Sequence, residues 1–178
     1  MNADARSPNA DANRWVVVAL GSNLGDPAAN LQAASDELAA LCTGPLLCSS
    51  FWRTAPVDCP PGSPDFVNAV VAWEAATDQT PESLLASLQA IEHKLGRQRK
   101  GVINEARSLD LDLIMFGGEE RRTPELTLPH PRAHTRRFVL EPLVEILPDC
   151  RAPGWAASAH ELLSQLPDLE PARRATKL

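Results

Sequence analysis

The segment Leu109–Leu113 reads L-D-L-D-L, a strict alternation on which the interpretation of the rest of the chain depends. Because successive side chains of a strand point to opposite faces, the three leucines share one face and the carboxylates of Asp110 and Asp112 share the other. Alternate Cα atoms of a strand lie about 6.5–7 Å apart, so both carboxylates can reach into one small volume. The pattern predicts a strand with one apolar face and one paired-carboxylate face.

A basic segment precedes this strand, although the whole chain has a formal net charge of −6. Two carboxylates on one strand face repel each other. Mg²⁺ compensates such a pair well, because it takes one or two carboxylates and fills its other positions with water and substrate phosphates. Upstream arginines would bind the same phosphates. The alternative is a solvated edge strand beside a solvated loop; the adjoining basic residues favour polyphosphate chemistry. These residues are Lys94, Arg97, Arg99, Lys100 and Arg107.

The composition limits the class of protein. With 178 residues, of which 44% are hydrophobic and 22% charged, the chain is long enough for one domain with its own core. Its acidic balance argues against general nucleic-acid binding, and no run of about 18 apolar residues predicts a membrane span. The cysteines lack metal-site spacing and are expected to be reduced. We therefore expect a disordered tail at 1–13 and one cytoplasmic domain at 14–178.

The order of predicted elements is strand, helix, strand, strand, helix, strand. This order is the ferredoxin-like βαββαβ arrangement, with the helices packed on one face of the sheet. A mostly helical C-terminal extension is predicted to follow, with frayed residues at its end. The strands are predicted at Trp15–Leu20, Leu46–Trp52, Phe66–Trp73 and around Asp110, and the helices begin at Asp26-Pro27 and Thr80-Pro81, where a capping residue precedes proline.

Two polar side chains occur at positions that the apolar pattern assigns to the interior. Glu92 lies about 40° from Leu88 around the second helix, inside its apolar stripe. It either extends to solvent at the helix end or reaches a polar site. Asn68 lies on an otherwise apolar strand and must find hydrogen-bond partners. A structural bridge to a loop backbone and a role in ligand binding are equally good interpretations of Asn68.

Six motifs in order closely resemble the 6-hydroxymethyl-7,8-dihydropterin pyrophosphokinases of folate biosynthesis. Each motif is weak alone, and their order and spacing make the resemblance specific over residues 15–148. The motifs are A-L-G-S-N-L-G-D at 19–26, S-S-F-W-R-T-A-P at 49–56, P-D-F-V-N-A-V-V at 64–71, I-E-H-K-L-G-R-Q-R at 91–99, R-S-L-D-L-D-L-I at 107–114 and L-P-H-P-R at 128–132.

The resemblance implies transfer of the β,γ-pyrophosphoryl group of ATP to the hydroxymethyl oxygen of the pterin, with release of AMP. It implies that Asp110 and Asp112 hold two Mg²⁺ ions that bridge the phosphates and the attacking hydroxyl. Arg97 and Arg107 match the arginines that engage the triphosphate. Further matches on the nucleotide side are Gln89, Glu92, Arg99, Lys100, His130 and Arg136.

The pterin site implied by the resemblance combines stacking with amide hydrogen bonds. Phe66 and Phe138 match aromatic positions that can sandwich a flat bicyclic ring. Asn68 matches the amide that binds the pterin edge, and fixed hydrogen bonds of this kind give strong discrimination. Asn23 matches a second asparagine near the site. The neighbouring loop matches at Thr54, Ala55 and Val57, and the segments Ala55–Pro64 and Lys94–Glu105 would be closing lids.

The chain departs from the family pattern at two places. Asn104-Glu105-Ala106-Arg107 stands where many relatives have W-G-P-R, and Pro131 follows His130 where some have an aromatic residue. Neither change removes a predicted metal ligand or a matched arginine, so an active enzyme is expected. We also expect the protein to be a monomer. The rival hypotheses are a non-catalytic ferredoxin-like module and a degenerate relative that binds ATP without transfer.

Overall fold

The computed structural model describes residues 14–56, 61–96, 108–167 and 173–176. Within these residues the chain has a mixed α/β architecture with an antiparallel sheet and four α-helices. In chain order the elements are β1 Trp15–Ser22, α1 Pro27–Ala39, β2 Leu47–Cys48, β3 Phe51–Thr54, β4 Phe66–Glu74, α2 Pro81–Lys94, β5 Asp110–Phe116, β6 Arg121–Arg122, β7 Thr127–Leu128, a 3₁₀ helix Ala133–Thr135, α3 Arg137–Ile146, α4 Ala159–Gln165 and β8 Arg173–Thr176.

The main sheet has the strand order β5-β1-β4-β3-β8, with β2 also paired to β4. Every pairing in it is antiparallel. Because β5 pairs only with β1 in this order, it forms one edge of the described sheet. The strands β6 and β7 form a separate two-stranded sheet.

The two faces of the main sheet bury separate apolar clusters. On one face, α1 and α2 pack on the alternate β1 residues Val16, Val18 and Leu20. On the other face, α3 and α4 pack on Val17 and on residues of β4. Thus α1 and α2 share a face, as predicted, whereas the two later helices cover the opposite face. None of the described helices is both long enough and apolar enough to cross a membrane.

The two predicted helix starts are confirmed. Asp26 Oδ1 accepts a hydrogen bond from Ala29 N–H at 3.1 Å, and Pro27 occupies the first turn. Thr80 forms a capping box with Ser83 before α2. Each cap satisfies an N–H group that the helix cannot pair internally, which typically stabilises by about 1 kcal/mol.

The strand predicted at Leu46–Trp52 is wrong in its continuity, because it is interrupted between β2 and β3. Ser49 Oγ accepts from the N–H of Val70 at 2.9 Å and donates to Ser50 O at 2.8 Å. The N–H of Ser50 donates to Glu145 on α3 at 3.0 Å. Side-chain partners therefore replace part of the regular ladder.

The C-terminal residues also depart from the expectation of a frayed end. Residues 173–176 form β8, which pairs antiparallel with β3 and extends the sheet beyond that strand. An edge strand presents unpaired N–H and C=O groups, and β8 satisfies them along β3. Within the C-terminal part of the chain, α3 continues from Arg137 to Ile146 despite the internal Pro142.

Candidate active site

A row of directly paired residues crosses one face of the sheet at the C-terminal end of β1. Asp110 on β5 lies opposite Gly21 on β1, Gly21 lies opposite Asn68 on β4, and Asn68 lies opposite Trp52 on β3. Directly paired residues of antiparallel strands project to the same face. Asp112 lies opposite Ala19, one step along the same face. The carboxylate pair on β5 and the amide on β4 therefore share one face. The backbones of these two strands lie about 10 Å apart, because β1 runs between them.

The predicted two-faced strand is confirmed. Leu109, Leu111 and Leu113 are buried in the cluster beneath α1 and α2. Asp110 and Asp112 are half-buried on the opposite side. The regular alternation ends just beyond them, where a register shift separates the pairs that Val17 and Val18 make with β5. The sequence pattern thus places both carboxylates in the regular part of β5.

Glu92 is buried, with 4% of its surface exposed, and it turns toward the backbone of β5. Its Oε1 accepts a hydrogen bond from the N–H of Leu111 at 2.8 Å. Of the two interpretations left open by the sequence, extension to solvent is wrong, because the carboxylate lies inside the fold at the edge of the strand that carries the aspartates. Gln89, the other predicted nucleotide-side residue of α2, is exposed.

Asn68 lies against β3 and β1 with only 6% of its surface exposed. Its Nδ2 donates to Thr54 Oγ1 at 2.7 Å, so its partner is a neighbouring side chain rather than a loop backbone. Gly21 leaves room for it: a Cβ added there would lie 3.1 Å from Asn68 Oδ1 and 4.0 Å from Phe66 Cδ1. The structure therefore brings Thr54, Phe66 and Asn68 together around Gly21.

The other pterin-side residues that the structure describes are Asn23, Ala55 and Phe138. Asn23 is buried, and its Nδ2 donates to Pro64 O at 3.4 Å. Phe138, in the first turn of α3, is half-buried beside the second apolar cluster. The guanidinium carbon of Arg136 lies 5.2 Å from the centre of its ring, a cation–π contact. Ala55 is exposed.

His130 follows β7 and is held by two backbone contacts. Its N–H donates to Ile114 O at 2.8 Å, and its Nδ1 accepts from the N–H of Arg132 at 3.2 Å. Burial, and then the charges of Arg136 and Arg132, lower the pKa of His130 from 6.5 to about 4, while Asp110 acts weakly in the opposite direction. Since Nδ1 accepts a hydrogen bond, the proton of the neutral imidazole lies on Nε2.

Comparison with known proteins identifies the family. A family model for 7,8-dihydro-6-hydroxymethylpterin-pyrophosphokinase matches residues 17–148. The chain belongs to this family. It is 40% identical over 152 residues to the 2-amino-4-hydroxy-6-hydroxymethyldihydropteridine pyrophosphokinase of Haemophilus influenzae, covering 85% of this chain and 92% of that protein. It is 40% identical over 153 residues to the protein of the same name from Pseudomonas aeruginosa, covering 85% and 91%.

Solved structures support the fold. The crystal structure of wild-type Plasmodium falciparum HPPK-DHPS with pteroate matches with a TM-score of 0.65 and 13% sequence identity, over 85% of this chain and 42% of that chain. The wild-type structure of the same protein matches with a TM-score of 0.63 over 44% of its length. The present chain thus spans less than half of those proteins, and at this identity the likeness concerns the fold alone. The family predicted from the six motifs is confirmed, and the chain is an enzyme of the pyrophosphokinase class.

Several residues predicted for this pyrophosphokinase lie outside the described part of the chain. They include four basic residues between α2 and β5, one residue between β3 and β4, the Asn104-Glu105-Ala106 departure and residues 1–13. The individual site residues outside the description are Arg97, Arg99, Lys100, Arg107 and Val57.

The carboxylate pair of the pyrophosphokinase fits Mg²⁺ when substrate completes the coordination. Among the described residues, no group of three or more His, Cys, Asp or Glu side chains could hold a metal ion. A pair of half-buried carboxylates on one strand face suits a cation that takes one or two carboxylates and leaves the rest to water and phosphates. The donor set therefore matches a substrate-assisted Mg²⁺ site better than a closed protein site such as structural zinc.

Asn30 is a site-adjacent residue that the sequence interpretation missed. Its Nδ2 lies 3.2 Å from Ser22 Oγ, 3.0 Å from Leu24 O and 3.0 Å from Ser108 O. It thereby connects α1 to the loop that carries Asn23 and to the residues entering β5. The only signal in the sequence was a polar residue beside the apolar stripe of α1, which does not distinguish a structural contact from a solvated position.

Proposed function

We propose that this chain transfers the pyrophosphoryl group of ATP to the hydroxymethyl oxygen of 6-hydroxymethyl-7,8-dihydropterin, giving AMP and the pterin diphosphate in folate biosynthesis. The observation that carries the proposal is the row Asp110–Gly21–Asn68, in which a carboxylate pair and a buried amide lie on one sheet face. One end of the row suits polyphosphate and the other suits a flat heterocycle. The curated relatives named above carry the corresponding enzyme name.

The phosphate end of the row is formed by Asp110 and Asp112. Their half-buried carboxylates would hold two Mg²⁺ ions, which when bound neutralise phosphate charge and align the hydroxyl with the phosphorus atom. Glu92 accepts a hydrogen bond from the N–H of Leu111, which lies between the two aspartates. The strand β5 is therefore bonded to Glu92 along one edge and to β1 along the other. The two carboxylates are thereby kept at adjacent same-face positions.

His130 and Arg136 would bind the nucleotide on this side. A low pKa keeps His130 neutral near neutral pH, and the contact from Arg132 N–H leaves Nε2–H as the donor. The neutral Nε2–H of His130 can donate to a phosphate oxygen, whereas a charged imidazolium would compete with the metal ions for the phosphate. Other proposed nucleotide contacts are Gln89, Glu92, Arg99 and Lys100, with Arg97 and Arg107 on the triphosphate.

The pterin end of the row would bind the ring by stacking and by fixed hydrogen bonds. Phe66 and Phe138 would lie on the two ring faces. Asn68 is oriented by its bond to Thr54, so its amide is pre-positioned before a ligand arrives. A pterin lacking the matching groups would leave this buried amide unpaired, which gives discrimination. Asn23, Ala55 and Val57 are the proposed contacts from the adjoining loops.

The strand order also supports a ferredoxin-like assignment for β1 to β5. The four-strand order β5-β1-β4-β3, all antiparallel, with α1 and α2 on one face, is the pattern of a split βαβ pair. We further propose that residues 14–178 form a single domain, because β8 pairs with the same sheet, and that the protein is a cytoplasmic monomer.

The test is a chromatographic assay with ATP, Mg²⁺ and 6-hydroxymethyl-7,8-dihydropterin. Equal amounts of AMP and pterin diphosphate are expected. Formation of ADP would show that a single phosphoryl group is transferred and would overturn the proposal. ATP binding without AMP formation would favour the degenerate relative, and an absence of both binding and turnover would favour the non-catalytic module.

A further inference from the structure

We propose that Glu145 is a positioning residue for the pterin site, because it fixes the helix that carries Phe138 to the strand that carries the partner of Asn68. The inference rests on the proposed function, since it concerns the two walls of the same pterin site. It assigns Glu145 no contact with substrate.

The carboxylate of Glu145 accepts three hydrogen bonds from the part of the sheet that faces α3. Its Oε2 accepts from the N–H of Ser50 at 3.0 Å and from Nε1 of Trp52 at 3.2 Å. Its Oε1 accepts from Ser50 Oγ at 2.7 Å. Hydrogen bonds to an ionised carboxylate are roughly twice as strong as neutral ones. One side chain near the end of α3 thus binds both the backbone and the side chains of the β2–β3 region.

The strand that Glu145 binds is one wall of the proposed pterin site. Trp52 lies directly opposite Asn68 in the register of β3 and β4. Two residues further along β3, Thr54 accepts the hydrogen bond of Asn68. The position of β3 therefore sets the position of the group that orients the recognition amide.

The helix that Glu145 belongs to carries the other wall. Phe138 precedes Glu145 by seven residues, which is about 20° short of two full helical turns and about 10.5 Å along the axis. The two side chains thus lie on the same side of α3. Val139, Leu140 and Leu143 hold α3 on the sheet by apolar packing. Such packing is non-directional, whereas the hydrogen bonds of Glu145 are directional and fix where the helix stands along β3.

The consequence is a defined separation between Phe138 and the Asn68 wall. If the hydrogen bonds of Glu145 to Ser50 and Trp52 are weakened, α3 can shift along the sheet while its apolar contacts remain. Pterin binding should suffer, because stacking depends on the position of Phe138. ATP binding should suffer less, because Asp110 and Asp112 lie on the other edge of the sheet. Arg136, which directly precedes α3, is one of several proposed nucleotide contacts.

The experiment compares the steady-state KM for 6-hydroxymethyl-7,8-dihydropterin, the KM for ATP and kcat in four variants of the full chain. Glu145→Gln replaces one acceptor oxygen by a donor that faces the existing donors. Trp52→Phe removes the indole N–H that donates to Glu145 and keeps an aromatic ring at this position. The double variant tests whether the two act through one contact, and Glu141→Gln, on the same helix but bonded to Arg137 within it, is the matched control.

We expect Glu145→Gln to raise the pterin KM roughly five- to tenfold, about the effect of losing one charge-assisted hydrogen bond. Trp52→Phe should raise it less, and the double variant should resemble Glu145→Gln, because contacting residues are not additive. The ATP KM should rise by a clearly smaller factor than the pterin KM, because the carboxylates lie on β5 and Arg136 is one of several proposed nucleotide contacts. Glu141→Gln should behave as the unmodified protein.

An unchanged pterin KM in both single variants, or an equal rise in both KM values, would overturn the inference. Asn68→Ala separates this result from a failure of the proposed site. If Asn68→Ala raises the pterin KM and the Glu145 and Trp52 variants do not, only the positioning role is wrong. If Asn68→Ala also leaves the pterin KM unchanged, the pterin site and the inference fall together.

Discussion

The N–H of Leu111 donates to Oε1 of Glu92 at 2.8 Å, across the interface between β5 and α2. Leu111 lies between Asp110 and Asp112, and β5 is an edge of the described sheet. The bond therefore satisfies an N–H that no neighbouring strand pairs, at the position between the two carboxylates. It connects the apolar stripe of α2 to the geometry of the candidate metal site.

Glu92→Leu should destabilise the protein, because a side chain of similar size would leave a buried N–H without this acceptor. The expected cost is about 1–3 kcal/mol of the free energy of unfolding. Glu92→Gln keeps an acceptor oxygen and should cost less. Urea denaturation measures both, and Gln89→Leu, on the exposed side of the same helix, is the control.

Hydrogen exchange provides a residue-specific check on the same prediction. The Leu111 amide should exchange faster in Glu92→Leu than in Glu92→Gln, since only the latter keeps a partner. Equal protection in both variants, together with unchanged unfolding, would contradict the role assigned to the carboxylate.

Asp110→Asn and Asp112→Asn should each remove turnover while leaving the thermal melt nearly unchanged. The expected loss of kcat is at least ~10³-fold, equivalent to about 4 kcal/mol of barrier. Stability should be preserved, because each substitution removes one charge from a like-charged, half-buried pair on the same strand face. AMP formation and calorimetry measure the two effects.

Asp36→Asn is the matched control for the aspartate variants, because Asp36 is exposed on α1 and accepts a hydrogen bond from Gln32. It should retain full turnover. Substantial activity in both Asp110→Asn and Asp112→Asn would rule out the metal site proposed for β5.

Gly21→Ala should weaken pterin binding more than it weakens ATP binding. The new Cβ would lie 3.1 Å from Asn68 Oδ1, tighter than ordinary van der Waals contact, and 4.0 Å from Phe66 Cδ1. Asn68 would have to move away from its position beside Thr54. A pterin KM raised about tenfold or more is expected, about 1.4 kcal/mol of binding free energy.

Gly44→Ala is the control for crowding, because a Cβ there meets nothing within 4 Å. It should leave both KM values unchanged and can slightly stabilise the fold by restricting the unfolded chain. If Gly21→Ala binds pterin as tightly as Gly44→Ala does, Asn68 does not need its present position.

The features predicted correctly from the sequence are those with a local cause. The L-D-L-D-L alternation assigns each side chain of Leu109–Leu113 to a face without reference to any distant residue, and the structure agrees. The starts of α1 and α2 follow from a capping residue and a proline within one turn. Short-range rules therefore predicted the shared face of the two carboxylates and the starts of the two helices that pack on the opposite face of the sheet.

The features that were missed depend on partners far along the chain. Glu145 binds Trp52 on β3, 93 positions earlier, and Ser50 just before that strand, 95 positions earlier. Asn30 reaches Ser108, 78 positions away. No periodicity links such residues. The break at Ser49–Ser50 has the same cause, because the N–H of Ser50 bonds to Glu145 instead of continuing the ladder. Similarly, β8 is a strand only because β3 offers it an edge.

His130 should make the free energy of unfolding depend on pH in the mildly acidic range. Its pKa is lowered from 6.5 to about 4 in the folded protein, chiefly by burial. Between these values the unfolded chain binds more protons than the folded chain, so stability rises with pH. The contribution of His130 is complete above about pH 6.5 and is lost as the pH falls toward 4.

His130→Asn should flatten this dependence, because asparagine does not titrate and its Oδ1 can accept the N–H of Arg132 that Nδ1 accepts in the native chain. Urea denaturation of the metal-free protein at pH 7.5 and at pH 5 measures the difference in stability for each form. The native protein should lose more stability between these two conditions than His130→Asn does. An equal loss in both would mean that the pKa of His130 is the same in the folded and unfolded chains, and that burial does not lower it.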